Sequence, residues 1–175
     1  VTPISSETSG LPTDAELNAI GVLRRRLIEA RVVAPLLEAL GERFGRDDVL
    51  AVAREVIVSL ATRQGGELAA HVGGCSLQHF EGTLDRWTAD GALEITVRES
   101  SDETFAFDVT RCRYAEMYRA LGIPELGAIL SCNRDAALIG GFNPDVAFTR
   151  TQTIMGGASH CNFVYTLTRA PRSTP

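Results

Sequence analysis

Three short clusters in this chain place a thiol beside groups able to activate it. Cys112 precedes Glu116 by four residues, Cys132 precedes Asp135 by three, and Cys161 directly follows His160 just beyond Gly156-Gly157. A cysteine attacks only as the thiolate, so it needs a lowered pKa or a neighbouring base, and a further group to orient that base. Glu116, Asp135, His160 and Arg111 are the partners on offer. On a helix, the spacing of Cys112 and Glu116 puts both on one face. On a strand, His160 and Cys161 point to opposite faces, which weakens a direct dyad between them.

Two other readings of the same residues stay open. Cys112, Cys132 and Cys161 can converge on a divalent metal that keeps one position for water. Their separations are unlike the short Cys-x-x-Cys type, so no metal identity follows and no cofactor is certain. Free cysteine is also most often a buried small hydrophobe. Against that plain reading stands the crowding of polar residues around them: Arg111, Asn133, Arg134, Asp135, Asn143, Arg150, Gln152 and His160. Arginines fixed in a cleft grip a carboxylate with two parallel bonds. His71, Cys75 and His79 lack the paired spacing of zinc modules and read as packed or surface residues.

These groups need elements to hold them. Residues 1–11 read as a flexible arm, 12–170 as one domain, and 171–175 as a tail. Thr13 and Glu16 form a capping box, and Leu17, Ile20, Leu23, Leu27, Ala30 and Leu37 recur at helical spacing, with a kink or break expected at Pro35. The Arg24-Arg25-Arg26 triplet fans around that helix and reads as a solvated face. Asp47 or Asp48 is expected to cap a second helix with Val49, Val52, Ala53, Val56, Ile57 and Leu60 inside, and Gly65-Gly66 and Gly73-Gly74 then punctuate the chain. Ser76 caps a short helix reaching Trp87.

After the turn signal Asp90-Gly91 the pattern changes from helical to alternating. Leu93, Ile95 and Val97 share one face, as do Phe105, Phe107 and Val109, which predicts an antiparallel hairpin. Thr110 is expected to cap a helix through Leu121, and Pro124 opens another reaching about Cys132. Val146 and Phe148, then Cys161, Phe163, Tyr165 and Leu167, alternate as two more strands. The fold class is α+β: a helical N-terminal half packed on a four-stranded antiparallel sheet with inserted helices. In that arrangement Cys161 faces inward with Phe163 and Tyr165.

Bulk properties exclude several functions. All 17 basic residues are arginine, so Schiff-base chemistry and phosphate-loop lysines are ruled out. A net charge of −5 argues against a nucleic-acid partner. No apolar run approaches the roughly 18 residues of a bilayer span. Four cysteines without a secretory leader fit reduced thiols in the cytoplasm. A homo-oligomer through the N-terminal helices is the expected assembly.

The runs Thr110-Arg111-Cys112-Arg113-Tyr114-Ala115-Glu116, Leu130-Ser131-Cys132-Asn133-Arg134-Asp135, Gly141-Phe142-Asn143-Pro144, Thr149 to Met155, and His160-Cys161-Asn162-Phe163 resemble the L-2-amino-thiazoline-4-carboxylic acid hydrolase family. The resemblance implies a hydrolase acting on a C–N bond of a small cyclic amidine that carries a carboxylate. Water adds to the carbon between sulfur and nitrogen of the five-membered ring, giving an N-carbamoyl-cysteine type product. On that basis Cys161 or Cys132 is the nucleophile, with Cys112 and His160 nearby. Asp135 or Glu116 holds the amidinium, and Arg111 or Arg150 the carboxylate, with Asn133 and Asn162 as further contacts. Asn162 stands where the resemblance implies aspartate, and Val164 where it implies arginine. The alternative is a non-catalytic domain that binds a small molecule or metal, or senses redox state, through the same cysteines.

Overall fold

The computed structural model describes residues 14–168. The arm and tail expected at 1–11 and 171–175, and the capping residue Thr13, lie outside them.

A short helix Asp14–Leu17 (α1) and a 3-10 turn Asn18–Ile20 lead to Gly21, whose φ of +86° is open to glycine at no steric cost. The chain turns there, not at Pro35. Val22–Phe44 (α2) runs through Pro35, which sits on the exposed side, where water can serve the carbonyl left without a donor. The buried positions of α2 are Val22, Arg26, Ala30 and Ala34, one every four residues. Arg26 is therefore on the inner stripe, and the solvated-face reading of the arginine triplet holds only for Arg24.

After Gly45, the helix Arg46–Val72 (α3) carries Asp47 and Asp48 in its first turn, where the helix dipole favours negative charge; neither is the cap. Of the two glycine pairs, Gly65-Gly66 lies inside the helix and Gly73 caps its end. A Cβ on Gly65 would lie 2.0 Å from the carbonyl oxygen of Leu138, and one on Gly141 would lie 1.9 Å from that of Thr62. The glycines let α3 touch, backbone to backbone, a helix spanning Arg134–Phe142 (α8). This contact seats the C-terminal half of α8, the helix that carries Asp135 in its first turn, on α3.

Ser76 caps Leu77–Glu81 (α4), accepting the His79 N–H at 3.2 Å, but the helix ends before Trp87, which belongs to Asp85–Thr88 (α5). Leu93–Ser100 (β1) and Thr104–Cys112 (β2) form the expected hairpin. Arg113–Ala120 (α6) follows, capped by Cys112 and not by Thr110. Pro124–Gly127 (α7) and a π-helical turn Ala128–Cys132 lead into α8, a helix that the residue pattern does not announce. Val146–Thr149 (β3) and Cys161–Leu167 (β4) complete the sheet, in the antiparallel order β1-β2-β4-β3.

Cross-strand pairs Phe105 with Tyr165, Phe107 with Phe163, and Val109 with Cys161 put these side chains on one face. With Leu77, Phe80, Ile139 and Phe142 they form the sheet core. A second core, between α2, α3, α6 and the π-turn, holds Ala30, Leu50, Ile57, Ala115, Tyr118, Ile129 and Leu130. Cys112 and Ile154 pack against both, at the seam between the two layers. Among the described residues no helix is long and apolar enough to cross a membrane.

Candidate functional site

The seam collects the three thiols from three different elements. Cys112 ends β2 and caps α6, its Sγ accepting the Ala115 N–H at 3.4 Å. Cys161 opens β4 with its Sγ accepting the Ile154 N–H at 3.1 Å, a bond made possible by the turn after Thr153 folding back over the strand. Cys132 closes the π-turn; π-turns insert a residue into a helix, and here the insertion precedes Asn133 and Asp135. The three thiols and Asp135 lie within electrostatic reach of one another. All four cysteines of the chain are free of disulfides, and Cys75 stands apart on the surface.

Arg150, just past β3, organises the cluster. Its Nη1 donates to Asp135 Oδ2 and its Nη2 to the Cys132 carbonyl at 3.0 Å, while its guanidinium lies 5.1 Å from the ring centre of Phe163 and 5.5 Å from that of Phe148. Cation–π contact and a charge-assisted bond together hold this side chain in one place. Asp135 is crowded by protein yet keeps 33% of its side-chain surface accessible, so it is not a dry core group.

Burial sets the protonation states. It pushes the Cys132 thiol up to about 12, helped by the negative charge of Asp135 and opposed by Arg150. It pushes Cys112 up to about 11, with the Ala115 N–H opposing. Cys161 is raised by burial too, but the Ile154 N–H and the Arg150 charge both pull it back. Burial also raises the Asp135 carboxyl, and Arg150 offsets this only in part. Burial acts to lower Arg150, yet the charges of Asp135 and Cys132 leave it raised and firmly protonated. All three thiols are protonated at neutral pH, so any thiolate must be made by a base during the reaction. Among the described residues, Asp135 is the one carboxylate whose charge is felt by all three thiols.

Other residues expected at the site lie elsewhere. Glu116 points to the surface, where Arg111 Nε donates to its Oε1 at 2.8 Å; a second carboxylate, Glu94, accepts from Arg111 Nη1 at 3.3 Å. The hydrogen bond from Arg111 holds Glu116 below the usual carboxylate range. Because Cys112 is the cap and not a residue inside α6, the expected shared face with Glu116 does not form. His160 bonds Gln152 at 3.1 Å and Ser159 at 3.1 Å and has no bond to Cys161. Asn162 Oδ1 accepts the N–H groups of Thr151 and Gln152, each at 3.1 Å, and its Nδ2 donates to Thr151 Oγ1 at 2.8 Å, so it clips the loop that follows Arg150. Asn133 makes no capping bond with its side chain. Asn143 is a buried strut whose Nδ2 donates to the Cys75 carbonyl at 2.8 Å. Among the described residues no three His, Cys, Asp or Glu side chains are grouped to hold a metal ion, so the three thiols do not form the metal-ligating set weighed above.

Sequence reasoning missed Arg26 and Tyr118, and noted Arg134 without assigning it a role. The signal for Arg26 was its phase: it stands four residues from both Val22 and Ala30, on the stripe that faces the core.

The model of the L-2-amino-thiazoline-4-carboxylic acid hydrolase family matches residues 25–165. The chain belongs to this family. The match takes in Arg26 and most of the helical half, beyond the C-terminal motifs that carried the resemblance, and the family is named for a hydrolytic activity. No curated protein sequence matches this family member. Among solved structures it is similar to a trafficking protein particle complex subunit 3 from Naegleria fowleri, covalently bound to palmitic acid, with a TM-score of 0.50 and 11% identity over 83% of this chain and 99% of that one. It is also similar to the phenol-responsive sensory domain of the transcription activator PoxR, with a TM-score of 0.47 and 11% identity over 90% of this chain and 75% of that one. At such identity the first likeness speaks for a shared fold alone.

Proposed function

We propose that this family member opens a small cyclic amidine of the 2-amino-thiazoline-4-carboxylate type at the seam site, with Cys161 as nucleophile and Asp135 as the proton carrier. The observation that supports this most is the meeting of Cys161, Cys132, Asp135 and Arg150 from β4, the π-turn, α8 and the end of β3 around one partly accessible carboxylate.

Asp135 takes the Cys161 proton as Sγ attacks the amidine carbon. The Ile154 N–H and the Arg150 charge stabilise the sulfur while it is anionic. Asp135 then returns the proton to the ring nitrogen, the ring C–N bond breaks, and the carbon stays joined to both Cys161 and the substrate sulfur. Water displaces Cys161, the thiol regains its proton, and a carbamoyl group is left on the substrate sulfur.

An N-carbamoyl product and a broken ring C–N bond exclude one another, because a carbamoyl on nitrogen requires the C–S bond to break. The S-carbamoyl product therefore replaces the one expected from the resemblance. An amine leaves only when protonated, and a carboxyl raised by burial, as Asp135 is, holds a proton for it.

Incubation with L-2-amino-thiazoline-4-carboxylate tests this. Release of a primary amine without a new free thiol supports the proposal; no ring opening counts against it. Cys161→Ser is expected to lose nearly all turnover. The exposed Ile28, Val32 and Leu36 along one side of α2 support the expected homo-oligomer, which light scattering checks.

A further inference from the structure

Near Asp135, in the helical layer, lies a second polar group that the reaction above does not use. Arg26 Nη1 contacts Glu29 Oε2 at 2.5 Å, and Arg134 Nη2 reaches the same oxygen at 3.8 Å. With Arg25, whose Nε donates to Glu29 Oε1 at 3.0 Å, three guanidinium groups share one carboxylate, and Arg26 and Arg134 are buried, Arg26 at 8% exposure. Arg134 is anchored by its Nε to the Leu130 carbonyl at 2.8 Å and by its Nη1 to Gln64 at 3.1 Å. Its guanidinium is lowered to about 10, by burial first and then by the nearby positive charge of Arg26. A buried excess of positive charge is costly unless an anion answers it.

Tyr118 adds an independent sign. Its side chain is fully buried, and its hydroxyl has no hydrogen-bond partner among the described residues. Buried hydroxyls are seldom left so, because the desolvation is unrecovered. Arg26, Glu29, Arg134 and Cys132 are the charged and sulfur groups around it. The ring cannot drift away, since a Cβ on Gly127 would lie 2.6 Å from Tyr118 Cγ, so ring and helix backbone are in close contact. Asp135 feels the charges of both Arg26 and Arg134, so this group and the thiol cluster are neighbouring parts of one interior.

We propose that Arg26, Arg134 and the Tyr118 hydroxyl form a subsite for the carboxylate of a small organic acid, with the remainder of the ligand directed toward Cys132 and Asp135. The Tyr118 O–H is a donor that lacks an acceptor: it donates to a carboxylate oxygen while the two guanidinium groups neutralise the charge. The inference rests on the hydrolase reading for the ring end of the ligand, and on its own geometry for the acid end. Arg150 is held at Asp135 and Arg111 lies on the surface between Glu94 and Glu116, and neither is among the charges around the Tyr118 hydroxyl.

The test is calorimetric binding to the full chain of L-2-amino-thiazoline-4-carboxylate and of 2-amino-thiazoline, which lacks the acid, in wild type and Tyr118→Phe. The variant removes an oxygen that bonds nothing, so it is expected to fold with unchanged or slightly higher thermal stability. Its affinity for the carboxylate compound is expected to fall about tenfold or more, the scale of a lost hydrogen bond to a charged group, with no change for the other compound. Equal carboxylate affinity in wild type and Tyr118→Phe, or no preference of the wild type for the acid, overturns the subsite. Arg26→Met is expected to show the same selective loss. If the Tyr118-dependent binding is found without any ring opening, the hydrolase reading falls and the subsite stands; ring opening insensitive to Tyr118 reverses that.

Discussion

Arg150 ties two elements that are distant along the chain by donating at once to the Asp135 carboxylate at the start of α8 and to the carbonyl of Cys132 at the end of the π-turn. The strand end thereby sets both the charge and the position of the group proposed to move protons. Arg150→Ala is expected to lower stability by about 1–3 kcal/mol, because Asp135 is left enclosed without its donor. Arg150→Lys should not restore it, since one ammonium cannot reproduce the fork. Urea unfolding of the two variants checks this.

Asp135 also makes stability depend on pH in a stated direction. Its folded value is raised above that of the unfolded chain, so its contribution is present below the ordinary aspartate range and is lost as pH rises through the raised value. Wild type should therefore lose stability over that window, and Asp135→Asn should flatten the fall. Unfolding free energies measured from acid to neutral pH decide it; an identical profile in the variant contradicts the raised value.

Thiol labelling should separate the cysteines. Cys75 is exposed and is expected to react first with iodoacetamide. Cys112 and Cys132, raised to about 11 and about 12, should remain slow at neutral pH and accelerate toward those values, because the thiolate is the reacting form. Peptide mass spectrometry of a labelling time course reads this directly.

The α3–α8 contact predicts opposite outcomes at adjacent glycines. Gly141→Ala drives a methyl into the backbone of Thr62 and should cost about 1–3 kcal/mol or more, with loss of any activity that needs Asp135 in place. Gly140→Ala meets open space and should be neutral or stabilise the helix by about 0.5–1 kcal/mol. Thermal unfolding of the pair distinguishes backbone contact from simple helix propensity.

Asn162 holds the loop after Arg150 by accepting two backbone N–H groups. Asn162→Asp keeps both acceptors and should preserve the fold. Asn162→Ala frees the loop, and turnover should fall about tenfold while stability drops by about 1 kcal/mol. Steady-state kinetics alongside unfolding measures both effects.

Much of this architecture was legible in the chain. Alternation in Leu93 to Val97, Phe105 to Val109 and Cys161 to Leu167 identified the strands and their inner face, because a sheet with one buried side forces a period of two. The meeting of Cys132, Cys161, Asp135 and Arg150 was not legible. It depends on the order β1-β2-β4-β3 and on α8, whose Gly140-Gly141 conceal it from propensity, although packing requires only Gly141. Arg26 was hidden by its neighbours: a triplet of arginines reads as surface until the helix phase is fixed by Val22, Ala30 and Ala34. Glu116 was misplaced by a two-residue difference in where α6 starts, since a cap does not share a face with the residue four positions on.

The proposed chemistry is tested most directly by single-turnover mixing of the full chain with L-2-amino-thiazoline-4-carboxylate, followed by intact mass and product analysis for wild type, Cys161→Ser and Asp135→Asn. A transient substrate adduct on wild type that maps to Cys161, decaying to an S-carbamoyl product and missing in Cys161→Ser, is the predicted result. Undiminished ring opening by Cys161→Ser, or an adduct found only on Cys75, would contradict it.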